Sequence, residues 1–324
     1  METVELRPLS LGELLDRTFS LYRSHFWLFV GITTIPAIFV IPERILLYNM
    51  QGSLFNMTPG APPTLPTLGL LGRLFLGEFA FSFVFGLVYA VGMGAATSAV
   101  AHSYLGRPST VRGSYAEIRA KFWRLIGVAL NVALRVLGII LLPIVAVGGG
   151  LITAVVAANG WSANNPVAVL LILATFGFFY LAALVLCVWF ALRYAVVIPV
   201  LMIEDLGVLD TIRRSVRLTR GRRGQIFLAL LVAAIIVYVG LFVFQMPFAI
   251  LTMMAALKGH LPLWLSSASG VASAFGIAVA GPISMIVTVL LYYDTRIRKE
   301  AFDLQHMMSS LERPGPAAGT VSPA

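Results

Sequence analysis

Six long apolar runs alternate with short polar segments along the chain. Each run has about 20 residues or more, the length that an α-helix needs to cross the hydrocarbon core of a bilayer. The last two runs are longer than one crossing requires, so we expect those helices to tilt, kink or project from the membrane. The predicted spans lie near Phe26–Tyr48, Phe79–Ala101, Val136–Ala158, Pro166–Leu192, Ile226–Ala256 and Leu261–Tyr293.

The most basic polar segment, Val208–Gly224, has the periodicity of an amphipathic helix. At about 100° per residue, Val208, Leu209, Ile212 and Val216 share one face, and arginines fill the opposite side. The segment carries six arginines and one aspartate between two runs that are each long enough to span a bilayer. A short basic amphipathic helix in this position indicates the cytoplasmic interface of a membrane.

Two further segments share the position and the pattern of Val208–Gly224, because each precedes a span that leaves the same side of the membrane. Ser10 with Glu13 and Ser114 with Glu117 form S-x-x-E capping boxes, which are typical of helix N-termini, whereas Val208–Gly224 has none. The sequence therefore predicts an all-α, polytopic integral membrane protein. Its six transmembrane helices form three hairpins, each opened by a cytoplasmic interfacial amphipathic helix.

The composition supports membrane insertion. Hydrophobic residues make up 59% of the chain, charged residues only 11%, and the mean hydropathy is +0.92, whereas a soluble domain carries about a quarter charged residues. We therefore expect a single six-span membrane domain at residues 1–311 and a disordered cytoplasmic tail at residues 312–324. The net charge of +9 does not indicate a nucleic-acid partner, because the basic residues fall between the apolar runs.

The distribution of Lys and Arg over the loops predicts the orientation. Of 23 such residues, 19 lie in the N-terminal segment, the second loop, the fourth loop and the C-terminal segment, and three lie in the other loops. The remaining one, Arg135, lies at the head of the third predicted span. Loops rich in Lys and Arg stay in the cytoplasm. Both termini are therefore predicted to be cytoplasmic.

The sequence carries no recognisable catalytic or metal-binding constellation. His25, His102, His260 and His306 lie in four separate regions, and Cys187 lies within an apolar run. No G-x-S-x-G elbow, H-E-x-x-H pair or phosphate-binding loop occurs along the chain. We therefore expect no cofactor, no metal site and no enzymatic activity.

The arginines of the basic segment form the first candidate functional site. Anionic headgroups attract basic residues near a membrane surface by about 1 kcal/mol each, so we expect these arginines to contact anionic lipids. The alternative is that they only orient the protein during insertion. The candidate contacts are Arg213, Arg214, Arg217, Arg220, Arg222 and Arg223.

Asn131, Arg135 and Arg193 form the second candidate site, because they lie near the ends of predicted spans. Asn131 and Arg135 are one helical turn apart, and with Arg193 they would line a polar cavity that holds an anionic headgroup. We favour the interpretation in which the third span begins at Val136 and both arginines lie at the membrane boundary, and the polar cavity is the alternative. We expect no buried carboxylate beside them, which disfavours a proton relay or cation transport. Such a cavity would indicate a transporter or flippase for a lipid or small amphiphile.

Small residues four positions apart favour close helix contacts in the sixth predicted span. The pairs are Gly270 with Ala274 and Gly276 with Ala280. Contacts of this kind form within one chain or between copies. The expected partners are therefore membrane lipids, with a homo-oligomer and an unknown membrane partner both left open.

Three segments, in order along the chain, resemble one bacterial membrane family. Arg7–Trp27, Ile203–Phe227 and Leu290–Leu304 are similar to the membrane domain of glycerophosphoryl diester phosphodiesterase and its stand-alone relatives. The resemblance implies a six-helix, multi-pass module of the bacterial inner (plasma) membrane. Some relatives carry a soluble phosphodiesterase barrel after this module, whereas only a short segment follows Tyr293 here. The resemblance thus implies a stand-alone member that lacks the catalytic domain, and the activity in the family's name does not carry over.

The functional expectation combines these observations. We expect a non-enzymatic bacterial membrane protein that engages anionic lipids or supports membrane or envelope homeostasis. The alternative is a transporter or flippase that uses the cavity at Arg135 and Arg193.

Overall fold

The computed structural model describes residues 9–46, 65–104, 107–138, 166–257 and 262–300. Within these ranges the chain is helical apart from short connections, and they contain no strand. The predicted all-α class is confirmed. In chain order the helices are α1 Leu11–Ser24, α2 Phe26–Ile38, α3 40–46, α4 Leu65–Tyr104, α5 Val111–Arg119, α6 122–138, α7 Pro166–Tyr194, α8 Val197–Glu204, α9 Val208–Thr219, α10 Arg223–Leu257 and α11 Leu263–Glu300.

Five helical stretches of the described chain are long and apolar enough to cross a membrane. They confirm a membrane protein with several spans. The third predicted span, Val136–Ala158, lies outside the described residues beyond position 138, so the number six and the hairpin pairing stay predictions. So do the domain limit at residue 311 and the tail after it. The five stretches are Phe26–Leu46, Leu76–Tyr104, Tyr180–Glu204, Arg223–Ala255 and Leu263–Glu300.

α11 lies at the centre of the described bundle and packs against α10, α2, α1 and α4. In its most apolar stretch 72% of the residues are buried, against 17–33% for the other four candidate spans. Small residues make this packing possible. A Cβ atom at Gly276 would come within 3.0 Å of Leu241, and one at Gly240 within 3.0 Å of the Ala280 methyl group. Small residues therefore bring α10 and α11 into close contact within one chain.

The capping boxes differ between the two predicted positions. At α1, the Ser10 hydroxyl accepts from the Glu13 N–H at 3.3 Å, and the Glu13 carboxylate accepts from the Ser10 N–H at 2.8 Å, so this box is confirmed. The predicted box at Ser114 and Glu117 is wrong. α5 begins one turn earlier, because Thr110 caps it by accepting from the Gly113 N–H.

The two residues of that second predicted box serve tertiary contacts instead. Ser114 is buried inside α5. The Glu117 carboxylate accepts from the Ser98 hydroxyl and lies 3.2 Å from the His102 imidazole, both on α4. A tertiary partner has therefore replaced the local one. At α9 the N-cap residue is Gly207, without a side-chain cap, as the sequence predicted.

Candidate functional site

The predicted basic amphipathic segment forms α9 and the turn that leads into α10. Its packed face differs from the apolar face expected from the sequence, since Leu209 is 52% exposed. Hydroxyl-bearing residues take its place. The Ser215 and Thr219 hydroxyls donate to the Arg193 carbonyl at 3.0 Å and 3.4 Å, where α7 ends and the chain turns into α8. The buried residues of α9 are Thr211, Ile212, Ser215, Leu218 and Thr219.

Side chains from other helices fix α9 near both ends. The Lys299 ammonium of α11 donates to the carbonyls of Arg217 and Arg220, at 2.5 Å and 2.7 Å. A cation at this position complements the negative end of the helix dipole. Before α9, the Asp205 carboxylate lies 2.9 Å from the Arg124 guanidinium and 3.3 Å from the Lys121 ammonium. The Lys121 hydrogen bond and charge, together with the Arg124 charge, hold the pKa of Asp205 below its ordinary value.

Arg214 points into the protein and joins two carboxylates. Its Nε atom lies 2.8 Å from Glu204 Oε2, and its Nη2 atom lies 2.5 Å from Glu300 Oε1. Glu204 also accepts from the Tyr292 hydroxyl at 3.0 Å, and Arg296 donates to the same hydroxyl at 2.7 Å. Burial disfavours the charged form of Arg214, but the two carboxylates outweigh burial and raise the pKa of Arg214. Arg214 thus ties α8, α9 and α11 together.

Arg222 points inward as well, toward Asp294 of α11. The Nη2 atom of Arg222 lies 3.7 Å from Asp294 Oδ2, and burial together with the neighbouring Arg298 lowers the pKa of Arg222. Asp294 Oδ1 accepts from the Leu9 N–H at 2.9 Å and from Arg298 at 2.8 Å. Arg298 also donates to the Leu9 carbonyl at 2.6 Å. This cluster ties the start of the described chain and the α9–α10 turn to α11.

Three of the six predicted lipid contacts point outward. The side chain of Arg213 is 74% exposed and lies 3.6 Å from Asp210, also exposed, one turn earlier on α9. Arg217 and Arg220 are exposed too. The structure thus divides the predicted cluster into an outward set, Arg213, Arg217 and Arg220, and an inward pair, Arg214 and Arg222.

Arg223, the sixth predicted contact, shares an aromatic neighbour with Arg193 from the second predicted site. The Arg193 guanidinium carbon lies 4.5 Å from the centre of the Trp189 ring, and the Arg223 guanidinium carbon lies 5.3 Å from the same centre. Within the described ranges, the buried Nε atom of each arginine has no hydrogen-bond partner. We call Trp189, Arg193 and Arg223 the indole–arginine cluster.

Of the other two members of the second predicted site, Arg135 contacts Tyr194, the residue next to Arg193 in the sequence. The Arg135 guanidinium donates to the Tyr194 hydroxyl at 3.3 Å, and Arg135 itself is exposed. The Asn131 Oδ1 atom is buried without a hydrogen-bond partner in the described chain. Arg135 and Arg193 therefore contact different aromatic rings. The cavity that would join all three residues stays a prediction.

A cavity of about 510 Å³ lies elsewhere, between α3, α10 and α11. Its wall is largely apolar, with Tyr238 and Phe242 exposed beside it. Polar groups enter from Arg44, Gln245 and Ser273, and Gln245 donates to the Ser273 hydroxyl. The predicted cavity residues do not line it.

Part of the chain matches a known protein family. The site residues from Trp189 of α7 to Glu300 of α11 lie within residues 169–313, which match the family model of the membrane domain of glycerophosphoryl diester phosphodiesterase. The predicted resemblance is confirmed. The match includes the segments at Ile203–Phe227 and Leu290–Leu304, whereas Arg7–Trp27 lies outside it. No curated protein and no solved structure matches the chain.

Sequence reasoning identified the arginines but missed their partners. The available signal was the presence of acidic residues that could pair with these arginines. Glu204 lies in the segment Ile203–Phe227, and Asp294 and Glu300 lie in Leu290–Leu304. Asp294 is a buried carboxylate with a side chain 7% exposed. Its partners are Leu9, Arg222 and Arg298 instead of the arginines of the second predicted site. Trp189 was also missed, because a tryptophan inside an apolar run gives no sign of the cations beside it.

Proposed function

We propose that this protein is a non-enzymatic membrane module that engages anionic lipids at the cytoplasmic interface of a bacterial inner membrane. Its role would lie in membrane or envelope homeostasis. The proposal includes six spans in three hairpins with both termini cytoplasmic. The observation that carries it is the outward set on α9, because Arg213, Arg217 and Arg220 remain exposed while Arg214 and Arg222 engage carboxylates.

The physical basis is the surface potential of anionic lipids. Each basic residue near such a surface contributes about 1 kcal/mol, so the outward set contributes about 3 kcal/mol before screening. The neighbouring Asp210 offsets part of the Arg213 charge. Salt weakens the attraction within a Debye length of roughly 8 Å at physiological ionic strength. We therefore expect several weakly held anionic lipids along α9.

The competing explanation is that these arginines only orient the chain, and a matched pair of variants separates the two. R213Q/R217Q/R220Q removes three charges from α9. R107Q/R112Q/R119Q removes three charges from exposed positions on or before α5, on the same predicted side of the membrane. The full-length chain in neutral detergent is titrated with dioleoyl phosphatidylglycerol or dioleoyl phosphatidylcholine, and native mass spectrometry counts the bound lipids.

We expect the wild type to retain more phosphatidylglycerol than phosphatidylcholine. The α9 variant should lose most of this preference, and the α5 variant should keep most of it. Equal losses in the two variants would mean that only total positive charge matters, and the assignment to α9 would then be wrong.

Transport of a lipid or small amphiphile is the second candidate function. The 510 Å³ cavity between α3, α10 and α11 favours it, because Arg44 adds a positive charge to a wall that otherwise suits acyl chains. Exchange of fluorescent phosphatidylglycerol between leaflets of vesicles containing the purified chain would support transport. Exchange no faster than in protein-free vesicles would exclude it for that lipid.

A further inference from the structure

The indole–arginine cluster brings two positive charges to one aromatic ring. Arg193 extends from the C-terminal turn of α7, and Arg223 is the first residue of α10. Both guanidinium carbons lie within 5.3 Å of the centre of the Trp189 ring. The indole face attracts each cation, but it leaves their mutual repulsion uncompensated. An anion beside this ring would balance both cations.

The described chain supplies no such anion. The carboxylates of Glu204 and Glu300 are engaged by Arg214, and Asp294 is engaged by Arg222 and Arg298. No hydrogen bond or ion pair joins the Arg193 or Arg223 guanidinium to another side chain within the ranges that the structure describes. The nearby hydroxyls of Ser215 and Thr219 donate to the Arg193 carbonyl and leave its guanidinium untouched.

The position of the cluster indicates where the anion comes from. Arg223 is the first residue of the candidate span Arg223–Ala255, so it lies where the chain enters the membrane. Trp189 is 37% exposed on the outside of α7, and tryptophan is enriched at the depth of lipid headgroups. The first N–H groups of α10 add partial positive charge beside Arg223. Two planar guanidinium groups suit the oxygens of a phosphate group.

We propose that the indole–arginine cluster is a discrete seat for one phosphate group, carried by the headgroup of an anionic phospholipid. Arg193 and Arg223 bind the phosphate oxygens, and Trp189 holds both guanidiniums in place. This seat rests on the proposed lipid-binding function and deepens it. It differs from the outward set on α9 in binding one lipid at a saturable site instead of several at a charged surface.

The test uses the full-length chain in neutral detergent and dioleoyl phosphatidylglycerol as the probe. Native mass spectrometry measures the affinity of the first bound lipid and the number of later ones. R193Q/R223Q is compared with R213Q/R217Q, which loses the same charge from exposed positions of α9. We expect R193Q/R223Q to bind the first lipid at least tenfold more weakly than wild type does. R213Q/R217Q should reduce the number of later lipids, and it should change the affinity for the first lipid by less than twofold.

A second variant keeps the proposal testable if R193Q/R223Q does not fold. R193K/R223K retains both charges but lacks the planar fork of nitrogen donors, so the first lipid should bind more weakly than to wild type. Inorganic phosphate and glycerol 3-phosphate are added as competitors. Displacement of the lipid at millimolar concentration would support a phosphate seat open to soluble phosphates. Lack of displacement would support a seat that requires the lipid.

Two results would contradict the seat. One is an R193Q/R223Q variant that binds the first lipid as tightly as wild type. The other applies if R193Q/R223Q cannot be purified, and it is an R193K/R223K variant with wild-type affinity for the first lipid. If α9 still confers a preference for phosphatidylglycerol, either result overturns the seat alone. If the wild type and all the variants bind phosphatidylglycerol no better than phosphatidylcholine, the proposed function fails together with the seat.

Discussion

Arg213 and Arg214 are sequence neighbours with opposite surroundings. The Arg213 side chain is 74% exposed, whereas that of Arg214 is 20% exposed and contacts Glu204 and Glu300. Successive residues on a helix point about 100° apart, so one faces the surface and the other the bundle. The position of an arginine around the helix axis therefore decides whether it contacts carboxylates inside the protein or faces the surface.

The first residue-scale prediction concerns stability. R214Q should lower the free energy of unfolding by about 2 kcal/mol, because it removes the nearest cation from two largely buried carboxylates. Within the described ranges, Glu204 and Glu300 would keep only the Arg296 cation, at 4.0 Å and 3.5 Å. R213Q should change it by less than about 0.5 kcal/mol, as expected for an exposed pair. Denaturant unfolding in detergent measures both. If R214Q and R213Q are equally stable, the inward contacts of Arg214 do not hold the fold.

At the scale of helices, α9 is held by groups distant in sequence. Lys299 donates to carbonyls at its C-terminal end, and the Arg193 carbonyl accepts from its hydroxyls. Before its N-terminus, Asp205 adopts φ 50° and pairs with Lys121 and Arg124 at the start of α6. These contacts fix the rotation of α9 about its own axis. They thereby decide which arginines face outward.

The Asp205 contacts predict a pH dependence. Because Lys121 and Arg124 hold the folded-state pKa of Asp205 below its ordinary value, the carboxylate contributes stability above its unfolded pKa of about 3.9. That contribution is lost as the pH falls through the lower folded pKa. D205N should therefore melt at a lower temperature than wild type at pH 7, and the difference should shrink below pH 4. Asn tolerates the left-handed conformation, so backbone strain does not confound the comparison.

Thermal melting of both proteins between pH 3 and pH 7 measures this effect. R213Q provides a control outside the Asp205 cluster. A D205N difference that stays constant over this pH range would show that the carboxylate charge does not stabilise the connection between α8 and α9.

The sequence predicted the helices better than their contacts, for a physical reason. Span length and hydropathy are local properties, so the apolar runs indicated the described spans. Capping depends on competition between neighbours, and Thr110 replaced Ser114 one turn earlier. The predicted end at Leu192 also missed α8, because the chain turns at residues 195 and 196 and continues helically to Glu204. The carbonyl exposed by that turn is satisfied by α9, which local patterns do not reveal.

The candidate site shows the same limit. Six arginines in Val208–Gly224 are evident from the sequence, but their direction depends on Glu204 from α8 and on Asp294 and Glu300 from α11. Those two acids of α11 lie some 80 residues away along the chain, so helical periodicity alone does not pair them with α9. Arg193 and Arg223 were placed in two separate predicted sites, and only the fold shows that they share Trp189.

Across the whole molecule, the start of the described chain meets the segments Ile203–Phe227 and Leu290–Leu304 at one end of the bundle. Leu9 binds Asp294 and Arg298 of α11, while Glu204 and Arg214 join α8 and α9 to the same helix. This ionic cluster holds α9 against the bundle with its outward set exposed. We therefore propose that the inward arginines stabilise the fold and that the outward arginines bind anionic lipid.

Photo-cross-linking with a lipid probe tests this claim most directly. The full-length chain is reconstituted with a photoactivatable phosphatidylglycerol, or with the matching phosphatidylcholine, and the labelled peptides are mapped by mass spectrometry. We expect the phosphatidylglycerol probe to label residues 208–220 more than residues 107–119, and R213Q/R217Q/R220Q should abolish this excess. The phosphatidylcholine probe should show no such excess. Equal labelling of the two segments, or equal labelling by the two lipids, would contradict a lipid-binding role for α9.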